Sequence, residues 1–119
     1  MITVHITLAD GALVTLDSRG HASKRGSASI PCAAVSTLLR SFAAAVGDSK
    51  NVSGEARAPA EGVFSLRILS VYDSRWFLGA SDTLLTGLRQ VAADFPREVE
   101  MHVQPRASET EAKPRECSD

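Results

Sequence analysis

The sequence predicts an α+β domain: a two-layer sandwich in which two helices cover one face of a mainly antiparallel sheet. Three observations lead to this prediction. Segments with the two-residue period of strands and segments with the 3.6-residue period of helices follow one another in the order ββαββαβ. Turn signals join the strands in pairs. The chain has 119 residues and is 44% hydrophobic, which is enough for one buried core.

The first strand pair is indicated by alternation. Apolar residues occupy every second position over residues 2–8, as in a strand with one buried face. Asp10-Gly11 is a hairpin signal, and residues 12–16 form the returning strand. A second pair is predicted over residues 51–57 and 62–69, with the turn at residues 59–62. Residues 99–103 give a last short strand.

Two helices separate these strands. The first is predicted over residues 31–46, with Ser29 as its cap and Gly47 at its end. Its apolar stripe consists of Val35, Leu38, Leu39, Phe42 and Val46. The second helix has a similar stripe (Leu84, Leu85, Leu88, Val91, Ala92 and Phe95) and stops at Pro96. Its start is open, because Trp76 and Phe77 fit either its first turn or the loop before it.

The pattern ends before the chain does. We therefore predict one domain over residues 1–104 and a disordered, charged tail over residues 105–119, which lacks periodicity and contains Cys117.

Composition excludes several classes of function. A net charge of −1 and 5% aromatic residues argue against direct binding of nucleic acid. No signal peptide and no run long enough for a membrane span are expected, so the predicted location is the cytoplasm. His5, His21, Cys32 and His102 lack the spacing of a zinc site, and no nucleotide-binding loop is present, so we expect neither a metal nor a cofactor.

The chemistry is predicted between His21 and Cys32. Cys32 follows Pro31 at the opening of the first helix, where the helix dipole favours thiolate over thiol. A histidine that folds back onto this thiol completes the minimal set for covalent thiol catalysis. The alternatives are a buried, inert cysteine and a solvated turn histidine.

Neighbouring residues are assigned supporting roles. Backbone N–H groups of Ala33 and Ala34 at the helix start are candidate oxyanion donors. Ser29 or Ser36 is a candidate to orient the imidazole. The segment containing Ala22 and Gly26 is either a flexible cover over a bound peptide or a plain connection.

Two motifs carry a family resemblance. Gly20-His21-Ala22 followed by Cys32-Ala33-Ala34-Val35-Ser36 resembles the ribosomal-processing cysteine protease (Prp) family, and residues 87–96 resemble that family's second helix and its exit. The similarity extends over residues 1–103. The chain departs from the family in having Ser29 in place of a common aspartate, Pro31 in place of an aliphatic residue, and a loop one residue shorter.

The resemblance implies a small cytoplasmic bacterial enzyme, usually a homodimer, that removes a short N-terminal extension from a large-subunit ribosomal protein. By position, Cys32 is then the nucleophile, His21 its base, and Ser36 the serine that closes the motif. Two alternatives stay open: a weak or inactive relative that binds the ribosomal precursor or the assembling ribosome, and a thiol enzyme with another acyl substrate.

Overall fold

The computed structural model describes residues 1–20 and 30–106. The elements follow one another as β1 (Ile2–Ala9), β2 (Ala12–Arg19), α1 (Ile30–Asp48), β3 (Val52–Ala60), β4 (Val63–Val71), α2 (Ser74–Asp94) and β5 (Val99–Pro105). The predicted order ββαββαβ is thus confirmed. The last strand ends at Pro105, and the backbone N–H of Arg106 donates to the carbonyl oxygen of Leu8, so residues 105 and 106 of the predicted tail join the sheet. Residues 107–119, the rest of the tail predicted over residues 105–119, lie outside the described residues, so its disorder stays a prediction.

The five strands form one sheet in the order β3-β4-β2-β1-β5. Neighbouring strands are antiparallel except β5, which pairs in parallel with β1. α1 packs against α2 and β3, and α2 packs against β2 and β5. Both helices therefore lie on one face of the sheet, as predicted, and β3 and β5 are the edges.

The first hairpin turns where the sequence predicts. Asp10 and Gly11 both have positive φ values, 53° and 83°, which is the backbone of the tight turn that matches strand twist. The pairing then shifts, because Thr7 faces Thr15 while Leu8 faces Leu13. Val14 is therefore an extra residue in β2, which forms a β-bulge.

The core lies between the helices and the sheet. Strands contribute alternate side chains, and helices contribute one stripe each. The fully or almost fully buried apolar residues are Ile2, Val4, Ile6, Leu13, Leu16, Val35, Leu39, Phe42, Val46, Val52, Leu66, Phe77, Leu84, Leu85, Leu88 and Val99. The rings of Phe42 and Phe77 lie 6.0 Å apart and connect the two helices directly.

Several boundaries differ from the sequence prediction. α1 continues through Gly47, which has no positive φ and thus does not act as a left-handed cap. β3 continues to Ala60, so its turn to β4 narrows to Glu61-Gly62. Pro59 is tolerated in this strand because β3 is an edge strand with an irregular pairing between Arg57 and Ala60.

The start of α2 is settled by its cap. Asp73 precedes the helix in an extended conformation, and its Oδ1 accepts a hydrogen bond of 3.1 Å from the backbone N–H of Trp76. Trp76 and Phe77 thus belong to the first turn of the helix rather than to the preceding loop.

α1 differs from expectation in one further respect: by length and composition alone it meets the criterion for a membrane-crossing helix. Exposed alanines at positions 33, 44 and 45 account for this, since they raise the apolar content without joining the core. Its buried stripe packs against the sheet, and core helices of globular domains meet the same criterion.

Candidate active site

Cys32 lies in the first turn of α1, with its side chain partly buried against the core and not in a disulfide. The helix begins at Ile30, one residue earlier than predicted, so Pro31 takes the second helical position. Proline is tolerated there because N–H groups of the first turn have no acceptor within the helix. Pro31 is buried and packs the start of α1 onto the domain.

Cys32 opens onto a groove of about 640 Å³ between α1 and the hairpin of β3 and β4. One wall is the face of α1 that carries Cys32. The opposite wall is the end of the hairpin, and strand residues that face α1 form the floor. The lining residues are Ile2, Ser18, Gly20, Cys32, Val35, Ser36, Leu39, Arg40, Ala58, Ala60, Glu61, Gly62, Val63 and Phe64.

Gly20, which precedes His21 in the sequence, is fixed at the edge of this groove. Its N–H donates to the carbonyl oxygen of Gly62 at 2.9 Å, which ties the end of β2 to the hairpin turn. Its φ of 103° is a conformation that other residue types rarely adopt. A Cβ at this position would overlap the backbone carbonyl oxygen of Met1. The chain therefore leaves the sheet beside Cys32 by a route that requires glycine.

The structure brings three of the predicted site residues together, because Gly20, Cys32 and Ser36 all line the groove. Ser36 is exposed one helical turn beyond Cys32. His21, Ala22, Gly26 and Ser29 lie outside the described residues, and their assigned roles stay predictions.

The predicted oxyanion donors lie one step further into the helix than expected, because α1 begins at Ile30. Ala34 occupies the fifth helical position, and the carbonyl four residues before it is that of Ile30, so its N–H belongs to the regular hydrogen-bond ladder. Ala33 occupies the fourth position, and the carbonyl four residues before it belongs to residue 29, outside the described residues. The role of both N–H groups as oxyanion donors stays a prediction.

Sequence reasoning did not identify Arg40 or the hairpin residues at 58–63 as part of the site. The sequence does contain an indication for Arg40, since it stands four residues after Ser36 and eight after Cys32 on one helix face. The sequence contains no such indication for the hairpin residues, because only the sheet order brings the β3–β4 turn opposite α1.

The remaining histidines lie elsewhere. His5 and His102 pair across β1 and β5 with stacked rings 4.8 Å apart, and His102 Nε2 lies 3.3 Å from Glu100 Oε2. Both side chains project from the sheet face opposite the helices, away from Cys32. Within residues 1–20 and 30–106, no three His, Cys, Asp or Glu side chains are placed to hold a metal ion.

A partly buried thiol at a helix start, opening onto a groove, is an arrangement that suits an enzyme with a cysteine nucleophile. A family model described as cysteine protease Prp matches residues 1–100. The chain therefore belongs to the cysteine protease Prp family. No curated protein sequence matches the chain.

Solved structures show the same fold. The ribosomal processing protease Prp from S. aureus, in complex with a covalently linked product peptide, gives a TM-score of 0.76 at 23% identity over 87% of this chain and 99% of that chain. A protein from Streptococcus mutans gives 0.74 at 23% identity, over 89% and 99% of the two chains. The S. aureus protease in complex with a substrate peptide gives 0.73 at 22% identity, over 87% and 99%.

Proposed function

We propose that this chain is a cysteine endopeptidase in which Cys32 is the nucleophile and His21 is the general base. The observation that carries the proposal is the position of Cys32, in the first turn of α1 and on the wall of an open groove. Gly20, which directly precedes His21 in the sequence, lines the same groove.

The reaction proceeds through a thioester. His21 takes the thiol proton, and the thiolate of Cys32 adds to the carbonyl carbon of the scissile bond. The oxyanion is held by N–H groups at the start of α1, where the first turn lacks acceptors within the helix, and one such donor contributes about 3 kcal/mol. The C–N bond then breaks, and the imidazolium protonates the leaving amine. Water, deprotonated by His21, hydrolyses the thioester and releases the acid and the thiol.

We further propose that the substrate is the N-terminal extension of a large-subunit ribosomal protein, cleaved in the cytoplasm. Two considerations support this: the sequence resemblance, and the ribosomal processing role of the S. aureus relative, which has been solved with substrate and product peptides.

Replacing Cys32 tests the proposal. We expect Cys32→Ala to abolish release of the extension from the host's precursor while retaining binding, because only the sulfur is lost. Cys117→Ala is the matched control, since it removes the other cysteine of the chain, and it is expected to cleave at the wild-type rate. His21→Ala is expected to lower kcat at least about hundredfold, the usual contribution of a general base.

The outcome also separates the alternatives. Precursor binding without cleavage by the wild-type chain would identify a non-catalytic relative. Cleavage that survives Cys32→Ala would contradict the assignment of the nucleophile. Mass spectrometry of the precursor's N-terminus measures whether cleavage has occurred in each case.

The functional unit is proposed to be a homodimer, as in the family it resembles. Light scattering at micromolar concentration is expected to give twice the 12.6 kDa mass of one chain. A mass of one chain throughout the concentration range would contradict it.

A further inference from the structure

Arg40 extends the catalytic face of α1. Cys32, Ser36 and Arg40 are spaced by four residues, so they stand on three successive turns of one face, and all three line the groove. Eight residues separate Cys32 from Arg40, which is a rise of about 12 Å along the helix. The helix geometry thus fixes the distance along α1 between the backbone positions of Arg40 and Cys32.

The charge of Arg40 is available to a ligand. Within the described part of the chain, neither ion pair involves Arg40, and its side chain is exposed. Among the described residues that line the groove, Arg40 is the single cation and Glu61 the single anion. Glu61 belongs to the hairpin turn, which the Gly20–Gly62 hydrogen bond ties to the end of β2. Arg40 and Glu61 do not form an ion pair with each other.

The distance defines what Arg40 can bind. An extended peptide advances about 3.3 Å per residue. For a peptide that runs along α1 with its scissile bond at Cys32, the helical rise of about 12 Å to Arg40 corresponds to three or four residues. A guanidinium recognises a carboxylate through two parallel hydrogen bonds, so an acidic side chain is the ligand that Arg40 suits best.

We propose that Arg40 is a specificity-determining residue, which binds an acidic side chain three or four residues from the scissile bond of the substrate. This inference rests on the proposed function, since it requires a peptide to lie in the groove with its scissile bond at Cys32. It adds a charge preference at one position on one side of the cut.

Peptide binding to the Cys32→Ala variant tests the inference without needing turnover. The probes are fluorescein-labelled peptides that span the host's precursor junction, with a single glutamate placed in turn at each of the five positions on either side. The same set with glutamine is the neutral reference. We expect Kd to fall about threefold for glutamate over glutamine at one position, three or four residues from the cut, as for a solvent-accessible ion pair. The preference should weaken as salt rises.

Charge reversal makes the assignment specific. Arg40→Gln in the same background is expected to remove the glutamate preference, and Arg40→Glu to replace it by a preference for lysine at that position. Arg89→Gln, an exposed arginine of α2 outside the groove, is the matched control and should keep the wild-type profile.

The results distinguish this inference from the function on which it rests. A flat glutamate scan, an unchanged profile in Arg40→Gln, or no binding of any peptide would overturn the role of Arg40. If the peptides bind with the expected charge profile but the wild-type chain never cleaves them, the role of Arg40 holds and the proposed endopeptidase activity fails.

Discussion

The backbone at Gly20 is determined by three neighbours: the carbonyl of Met1, the carbonyl of Gly62 and the groove beside Cys32. The positive φ of Gly20 and the overlap with Met1 both act on the Cβ atom of a substituted residue. Rotation of the side chain about its Cα–Cβ bond therefore does not remove the overlap. The overlap is with the backbone of Met1, directly before β1, so relief requires that backbone to shift.

We predict that Gly20→Ala lowers the free energy of unfolding by about 1–3 kcal/mol, the usual cost of a side chain in a rarely populated conformation. Urea denaturation followed by the fluorescence of Trp76 measures it. Gly47→Ala is the control, because a Cβ there meets no atom within 4 Å and lies in a helix. It should raise stability by about 0.5–1 kcal/mol. Equal effects of the two substitutions would contradict the assigned constraint at Gly20.

At this scale the sequence identifies residues whose chemistry is local. Cys32 stands out through the helix that follows it, and Gly20 through the motif that it opens. Arg40 was not found, because its role depends on the groove and the groove requires the β3–β4 hairpin to stand opposite α1. An exposed arginine on a helix is by itself uninformative.

The elements are predictable where one force dominates. The stripe of α1 and the alternation in β1 reflect burial against a single face, and both were placed to within two residues. β3 was predicted too short, since residues 56–60 have low strand propensity and are held by pairing with β4. The hydrophobic periodicity of a segment does not show that another strand pairs with it.

The bulge in β2 is supported by a contact between elements. Ser81 of α2 is fully buried, and its Oγ accepts a hydrogen bond of 3.1 Å from the backbone N–H of Leu13. Leu13 adjoins the extra residue, Val14, where the regular pairing with β1 is interrupted. A polar side chain in the core thus satisfies a donor next to the irregularity in the strand.

We predict that Ser81→Ala lowers the free energy of unfolding by about 1–3 kcal/mol, because the buried N–H of Leu13 loses its acceptor. Chemical denaturation of the two chains measures the difference. Ser41→Ala removes an exposed hydroxyl from α1 and should be neutral or slightly stabilising. A neutral result for Ser81→Ala as well would mean that the N–H is satisfied in another way.

At the scale of the molecule, the parallel pairing of β5 with β1 is the feature furthest from prediction. The residues of β5 alternate like those of any edge strand, and nothing in them specifies a neighbour 97 positions earlier, as in the pair Ile2 and Val99. The consequence for the site is direct, since β5 completes the sheet beside β1. β1 supplies Ile2 of the groove floor and begins directly after Met1, whose carbonyl lies beside Gly20.

The position of the site also depends on the contact between the helices. Cys32 is carried by α1, and α1 is held against α2 by Phe42 on one side and by Leu38 packing over Gly87. Phe77, which meets Phe42, has no exposed surface. Core packing between the two helices therefore fixes the position of α1, and with it Cys32, relative to the β3–β4 hairpin.

We predict that Phe77→Ala lowers the free energy of unfolding by about 3–5 kcal/mol, because removal of a large buried side chain leaves a cavity where the two helices meet. This is a large part of the total of about 5–15 kcal/mol for a domain. Phe77→Leu keeps most of the volume and should lose about half as much or less. In the folded fraction of either variant we expect KM for a junction peptide to rise while Cys32 still reacts with iodoacetamide, because the groove shifts but the sulfur stays accessible. An unchanged KM in well-folded Phe77→Leu, together with full stability, would show that α1 is held in place without this contact.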